Sequence, residues 1–191
     1  LDWRQAAGLP LAGLTAYQAL HRALRVAKGD TLLVHAAAGG VGSFAVQLAV
    51  IQGARVIGTA SPGNHDFLRS LGAEPVAYGE GLADRVRELA PDGVAAVLDT
   101  VGGDTLAGSP ELLGRDGRLA SIVDPGVRDL GGQYVFVRPD PVDLAVLCEL
   151  AEDGRLTVEV SRVFPLERAA EAQTLSQQGH TRGKIVLEVA S

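Results

Sequence analysis

The chain has 191 residues, 47% of them hydrophobic and 21% charged. That suits one α/β domain, alone or with an appendage, and excludes a disordered chain. A net charge of −6 with no cluster of cations argues against a nucleic-acid partner, because counterion release needs grouped Lys and Arg.

A single cysteine, Cys148, rules out an intramolecular disulfide framework and a multi-cysteine zinc site; among Leu144, Val146, Leu147 and Leu150 it reads as a buried, inert thiol. The lack of a signal peptide and of a long uncharged apolar run leads us to expect no membrane partner and a cytoplasmic location. There is no methionine, so we expect Leu1 not to be the natural beginning and a segment to have preceded it.

Residues 11–27 carry Leu11, Leu14, Tyr17, Leu20 and Leu24 near helical spacing and close on Lys28-Gly29-Asp30, which predicts a lead-in helix. The apolar run from Thr31 to His35 then predicts a first strand. It enters the small-residue turn Ala36-Ala37-Ala38-Gly39-Gly40-Val41-Gly42, and a helix follows until Gly53. The first amides of a helix lack intrahelical partners and carry the positive end of its dipole, so a phosphate docked at Gly40 to Gly42 would be held by backbone alone. Ala37, Gly39 and Gly42 occupy the three small-residue places of the dinucleotide fingerprint, with Ala where the first Gly is usual. A merely structural turn is the alternative.

Residues 55–59 read as a second strand, 66–71 as a short helix, 75–78 as a third strand and 82–90 as a helix broken by Pro91-Asp92-Gly93. Val94 to Asp99 is apolar until its last residue, as a strand covered on both faces should be. A helix over 104–113, a fifth strand over 117–123 and a sixth over 133–137 complete the alternation. It predicts an α/β fold, a Rossmann-type doubly wound six-stranded parallel sheet. From Asp140 the rhythm changes to a helix over 141–152, a strand over 157–164, a helix over 167–178 and a last strand over 184–189. We therefore expect a nucleotide domain over 1–155 and a return segment over 156–191.

An acidic residue at the end of the second strand normally accepts from the ribose hydroxyl of NAD. Here that place reads Thr59-Ala60-Ser61, which removes the repulsion against a 2′-phosphate, and Ser61, Asn64 and His65 offer donors with Arg69 one turn beyond. This favours NADP(H) over NAD(H), although His65 has a bland alternative as the start of a surface helix. Thr100 and Val101 follow the fourth strand at the carboxyl edge where ligands sit in open α/β sheets. Their backbone suits a ribose or nicotinamide, unless Gly102-Gly103 is only a turn. The backbone of Ser121, Ile122 and Val123, at the end of the fifth strand, is the first choice beside the nicotinamide. His21, His35, His65 and His180 show no metal-ligand spacing, His35 reads as a core or edge histidine, and no Gly-x-Ser-x-Gly elbow supports a hydrolase. Hydride transfer requires a dry site and a dipole rather than a nucleophile, so catalytic side chains stay unassigned.

The stretches Ala7-Gly8-Leu9-Pro10, Gly13-Leu14-Thr15-Ala16-Tyr17, Ala36 to Gly42, Gly58-Thr59-Ala60-Ser61, Leu71-Gly72-Ala73, Asp99-Thr100-Val101-Gly102 and Gly179-His180-Thr181-Arg182-Gly183-Lys184-Ile185-Val186 come in one order along nearly the whole chain. In that order they resemble the cofactor half of the medium-chain dehydrogenase/reductase superfamily, in its zinc-free quinone oxidoreductase branch. The resemblance implies that Thr15 lies near the nicotinamide and that the turn Ala38-Gly39-Gly40-Val41-Gly42 holds the pyrophosphate. It further implies that Tyr78 grips the 2′-phosphate together with a cation whose place His65 takes. Phe136 and Val137 fall in the stretch whose backbone meets the carboxamide and whose strand can pair in a homodimer. It also implies an N-terminal barrel-like domain of roughly a hundred residues, which supplies the other wall of the cleft.

The function so implied is the NADPH-binding portion of an oxidoreductase that passes hydride to a small-molecule quinone or α,β-unsaturated carbonyl, incomplete without that domain. A non-catalytic nucleotide-binding or partner module is the rival, and an adenosylmethionine-dependent methyltransferase is disfavoured by the downstream pattern.

Overall fold

The computed structural model describes residues 1–189; residues 190 and 191, the end of the expected return segment, lie outside the described residues. Helix α1 (Trp3–Gly8) starts on a capping box, in which the Asp2 carboxylate accepts the Gln5 amide and the Gln5 side chain accepts the Asp2 amide. Helix α2 (Pro10–Gln18) opens on a proline, whose missing N–H costs nothing in a first turn. It passes into a π-turn over Ala19–Ala23 and stops short of the expected residue 27. Arg25 takes a left-handed φ of 47°, which a right-handed helix cannot continue through.

Six strands, β1 (Thr31–Val34), β2 (Arg55–Ala60), β3 (Glu74–Ala77), β4 (Val94–Asp99), β5 (Leu113–Ser121) and β6 (Gln133–Tyr134), form one parallel sheet in the order β3-β2-β1-β4-β5-β6. Helices α3 (Gly42–Gln52), α4 (His65–Ser70), α5 (Leu82–Leu89) and α6 (Gly103–Ala107) connect them. This is the Rossmann-type sheet that the alternation predicts. Successive strand residues point to opposite faces, so Leu32 and Val34 enter one core with Phe44 and Val46, while Leu33 enters the other with Ile57 and Val97. The strand order reverses between β1 and β4, and a crevice opens at their carboxyl ends.

Several elements end elsewhere than expected, each for a visible reason. Helix α6 gives way to a 3-10 turn over Ser109–Leu112, where Pro110 has no N–H to donate. Strand β5 stops at Ser121 because its hydroxyl accepts the amides of Val123 and Asp124 and turns the chain. Strand β6 holds only two residues, since the next stretch is diverted to α2: the Gln18 side chain both accepts the Arg138 amide at 3.0 Å and donates to its carbonyl at 2.9 Å.

After α7 (Pro141–Glu152), strand β7 (Val160–Pro165) starts late because Thr157 is held on α3, its amide and hydroxyl both donating to the Gln47 side chain at 2.8 Å. Helix α8 (Ala169–Gln177) and β8 (Lys184–Glu188) follow, and β7 and β8 make a separate parallel pair. That pair is sewn to the glycine-rich turn by the Gly183 amide, which donates to the Ala38 carbonyl at 2.9 Å. Among the described residues no helix is long and apolar enough to cross a membrane.

Candidate dinucleotide site

The turn between β1 and α3 is held by the ends of the neighbouring strands. The His35 amide donates to the Leu98 carbonyl at 3.0 Å, the Ala36 amide to the Thr59 hydroxyl at 3.0 Å and the Ala37 amide to the Thr59 carbonyl at 2.9 Å. A methyl group on Gly42 would collide with the Ala36 carbonyl and approach the Ala37 backbone to 2.7 Å, so no larger residue fits there without moving the turn. Among the described residues the amides of Gly40, Val41 and Gly42 donate to no protein acceptor, whereas the next one, of Ser43, is spent on the Gly39 carbonyl. Three bare donors thus cluster at the positive end of an eleven-residue helix.

Beside them lies a cavity of about 370 Å³. Of the predicted residues it gathers Ala38, Gly39, Ser61, Asn64, Tyr78 and Val101, together with Thr59 and Thr105. Among the described residues no carboxylate, lysine or arginine lines it. The Asn64 side-chain amide donates to the Ser61 hydroxyl at 3.3 Å, and Tyr78 is 55% exposed, so its phenol is open to a ligand. His65 stands outside the lining, with its Nε2 3.4 Å from the Ala60 carbonyl, and Arg69 is turned to Asp66 in an exposed ion pair. The cavity also has a wall that the residue-by-residue reading left without a role: Gly179, His180 and Thr181, on the loop before β8. The Thr181 hydroxyl is buried and unpartnered among the described residues. Only the closing motif marked that loop in the sequence; its chain distance from the turn hid the contact.

The loops after β4 and β5 are fixed by a buried pair. The Asp99 carboxylate accepts the amides of Val101 and Gly102 and the Ser121 hydroxyl, the last at 2.6 Å, and Asp99 and Ser121 are fully buried. The Thr100 hydroxyl donates to the His35 carbonyl. The side chains of Thr100 and Ser121 are therefore committed, and these loops present backbone, with the half-buried Ile122 and the exposed Val123 following.

Thr15 lies elsewhere: it is buried in α2 and its hydroxyl donates to the Leu11 carbonyl at 2.7 Å. Through Gln18 the same helix holds the stretch of Phe136 and Val137, and these two line a second, apolar groove with Pro10, Leu11 and Leu14. Of the predicted residues the cavity at the turn thus takes one part and this groove takes Phe136 and Val137, while Thr15 lines neither.

His35 is a core residue. Ser109 spends its hydrogen on the Thr105 carbonyl at 2.7 Å, so His35 Nε2 must donate to the Ser109 oxygen at 3.2 Å, and Nδ1 is left as a buried bare acceptor. Burial pushes its pKa down to about 4, against a smaller opposing pull from Asp99. Among the described residues no three or more His, Cys, Asp or Glu side chains are placed to share a metal. Three bare amides, a steric need for glycine at residue 42, a buried unpaired hydroxyl and a carboxylate-free wall together fit a dinucleotide phosphate chain.

Comparisons with known proteins show what the chain is similar to. The sequence model of a family described as zinc-binding dehydrogenase matches residues 71–187. The polyketide synthase GfsB of Streptomyces halstedii is 37% identical over 98% of this chain, which corresponds to 4% of that protein. The solved quinone oxidoreductase of Coxiella burnetii superposes on 100% of this chain and 62% of its own, with 38% identity and a TM-score of 0.88. The mycobacterial Rv1454c, solved complexed with NADPH, matches 98% of this chain and 65% of its own, with 33% identity and a TM-score of 0.84. The chain spans less than two thirds of the length of each of these proteins.

Proposed function

The chain belongs to the medium-chain dehydrogenase/reductase superfamily, as the cofactor-binding half of a quinone-oxidoreductase-like member, and from that premise we propose that it binds NADPH for hydride transfer to a quinone or an α,β-unsaturated carbonyl. The observation that carries the NADPH reading is the wall after β2 and β3, where Ser61, Asn64 and Tyr78 stand and, among the described residues, no carboxylate lines the cavity to repel a 2′-phosphate. When bound, the coenzyme supplies the hydride at its nicotinamide ring.

The chain's own part is to bind and orient. The amides of Gly40, Val41 and Gly42 take the diphosphate, and Ser61, Asn64 and Tyr78 take the adenosine end. The loops pinned by Asp99 and Ser121 offer backbone to the ring, and Thr15, Phe136 and Val137 flank it. In this reading no zinc is held among the described residues of this portion, and acids or dipoles that meet the acceptor's charge come from the rest of a longer protein. We place the division of the chain after residue 155, with the segment beyond it folding back over the glycine-rich turn towards that remainder. In this reading the protein works in the cytoplasm as a homodimer joined beyond β6.

The test is a fluorescence titration with NADPH and NADH on the wild-type chain and on Ser61→Asp. NADPH is expected to bind more tightly to the wild type, and the new carboxylate to cost NADPH roughly tenfold while leaving NADH level or improved. Equal preference for the two coenzymes in the wild type overturns the NADPH reading. Tight binding by the longer protein without turnover of quinones or enones favours the non-catalytic module instead.

A further inference from the structure

Helix α2 ends on Gln18, which is only 4% exposed and whose side-chain amide is almost fully used. Its oxygen accepts the Arg138 amide at 3.0 Å, and its nitrogen donates to the Arg138 carbonyl at 2.9 Å and to the Asp143 carboxylate at 3.0 Å. A carboxylate only accepts, so Asp143 fixes which end of the Gln18 amide is the nitrogen. One side chain thus grips both backbone groups of a residue 120 positions further along, as a neighbouring strand would.

Asp143 is itself held in place. It is 8% exposed, and its charge is met by Arg22 at 2.6 Å, which also reaches Asp140 at 2.8 Å. Asp140 caps α7 by accepting the amides of Val142 and Asp143. Gln18 is therefore tied to the start of α7 and cannot turn away without taking a donor from a buried carboxylate.

The grip fixes the stretch that precedes Arg138. The Val135 amide donates to the Ser121 carbonyl at 2.9 Å, which pins the near end to β5, and Gln18 pins the far end. Between these pins the peptide groups of Phe136 and Val137 have no partner among the described residues. A ligand that meets open donors and acceptors on a segment held at both ends loses little affinity to ordering the chain.

We propose that Gln18 is a positioning residue for the nicotinamide ring: it holds Phe136 and Val137 so that their open peptide groups meet the ring's carboxamide. This rests on the dinucleotide reading above and adds the side chain on which the placement of that stretch depends. A carboxamide carries one acceptor oxygen and two N–H donors, which a free N–H and a free C=O on adjacent residues match. Gln18 lines no part of the cavity that holds Ser61, Asn64 and Tyr78, so its loss should spare the adenosine end. Released from Gln18, the stretch is pinned at Ser121 alone, and the ring loses hydrogen bonds that contribute roughly threefold to tenfold in binding.

The proposal is tested by titrating wild type and Gln18→Leu with NADPH and with adenosine 2′-phosphate 5′-diphosphate, which has the adenosine end and the diphosphate but no ring. Circular dichroism checks the fold of the variant. Gln18→Leu should weaken NADPH by roughly threefold to tenfold, leave the ringless fragment at its wild-type affinity and move the fluorescence of the bound coenzyme towards that of free NADPH. Equal losses for both ligands, or no loss for either, overturn the assignment and leave the dinucleotide reading standing. Failure of the wild type to bind either ligand sinks both. A second readout does not depend on the variant folding. In amide hydrogen exchange of the wild type, followed by nuclear magnetic resonance, NADPH should slow Phe136 and Val137 and the ringless fragment should not, while Arg138 is slow throughout. Exchange at Phe136 and Val137 that ignores NADPH, or a fast Arg138 amide, counts against the proposal.

Discussion

At the scale of single residues, the glycines of the turn are not equivalent. A methyl group at Gly42 meets backbone atoms of Ala36 and Ala37, which can move only with β1, whereas one at Gly40 meets chiefly the flexible end of Lys184. Gly42→Ala should therefore lower unfolding stability by about 1–3 kcal/mol and Gly40→Ala by less than about 1 kcal/mol, as read from urea denaturation. Equal losses would show that the turn is looser than its contacts indicate. His35 makes a prediction of the opposite kind, in which a proton rather than a methyl group is the intruder. Its folded pKa, about 4, lies below the ordinary histidine value of 6.5, so the unfolded chain binds the proton more readily. The stability that this neutral imidazole contributes is complete above about pH 6.5 and drains away as the pH falls towards 4, by on the order of 3 kcal/mol in all. Unfolding midpoints measured across that window should drop in the wild type and drop less in His35→Gln; parallel curves would refute it.

At the scale of elements, legibility followed the range of the forces involved. Strands β1 and β4 are continuous apolar runs and α3 is bracketed by glycines, so their place and type were readable from neighbours within a few positions. Two of the misplaced ends, those of β6 and β7, were set by partners far away in the chain. Gln18 takes the peptide of Arg138 out of β6, and Gln47 delays β7 by holding Thr157, and nothing local to residues 138 or 157 announces either bond. The candidate site divides the same way. Its floor, the turn and the end of β2, was visible because fingerprint spacing is local. Its far wall of Gly179 to Thr181 was not assigned, because a loop more than a hundred residues on reaches the turn through long-range contacts such as the Gly183 to Ala38 bond. Asp99 belongs to the same lesson: its sequence position marked a strand end, while its work in fixing two loops at once needs Ser121 beside it.

At the scale of the whole molecule, the apolar surface is unevenly spent. Leu11, Phe136 and Val142 are 69%, 78% and 73% exposed. The first two border a groove of about 590 Å³ next to β6, an edge strand of two residues. Water against such a patch is unfavourable by about 25 cal/mol for each Å² left open, and an unpaired strand edge adds backbone donors and acceptors with no partner. Two copies meeting edge to edge beyond β6 would satisfy both needs together, as the homodimer in our functional reading requires. Each exposed leucine or phenylalanine so covered contributes about 1.5–3 kcal/mol, and an aspartate in its place adds a charge to be desolvated. Leu11→Asp should therefore weaken self-association by roughly tenfold or more in sedimentation equilibrium, with circular dichroism unchanged. An association constant that ignores Leu11→Asp would place the contact elsewhere and leave the groove to the remainder of a longer protein.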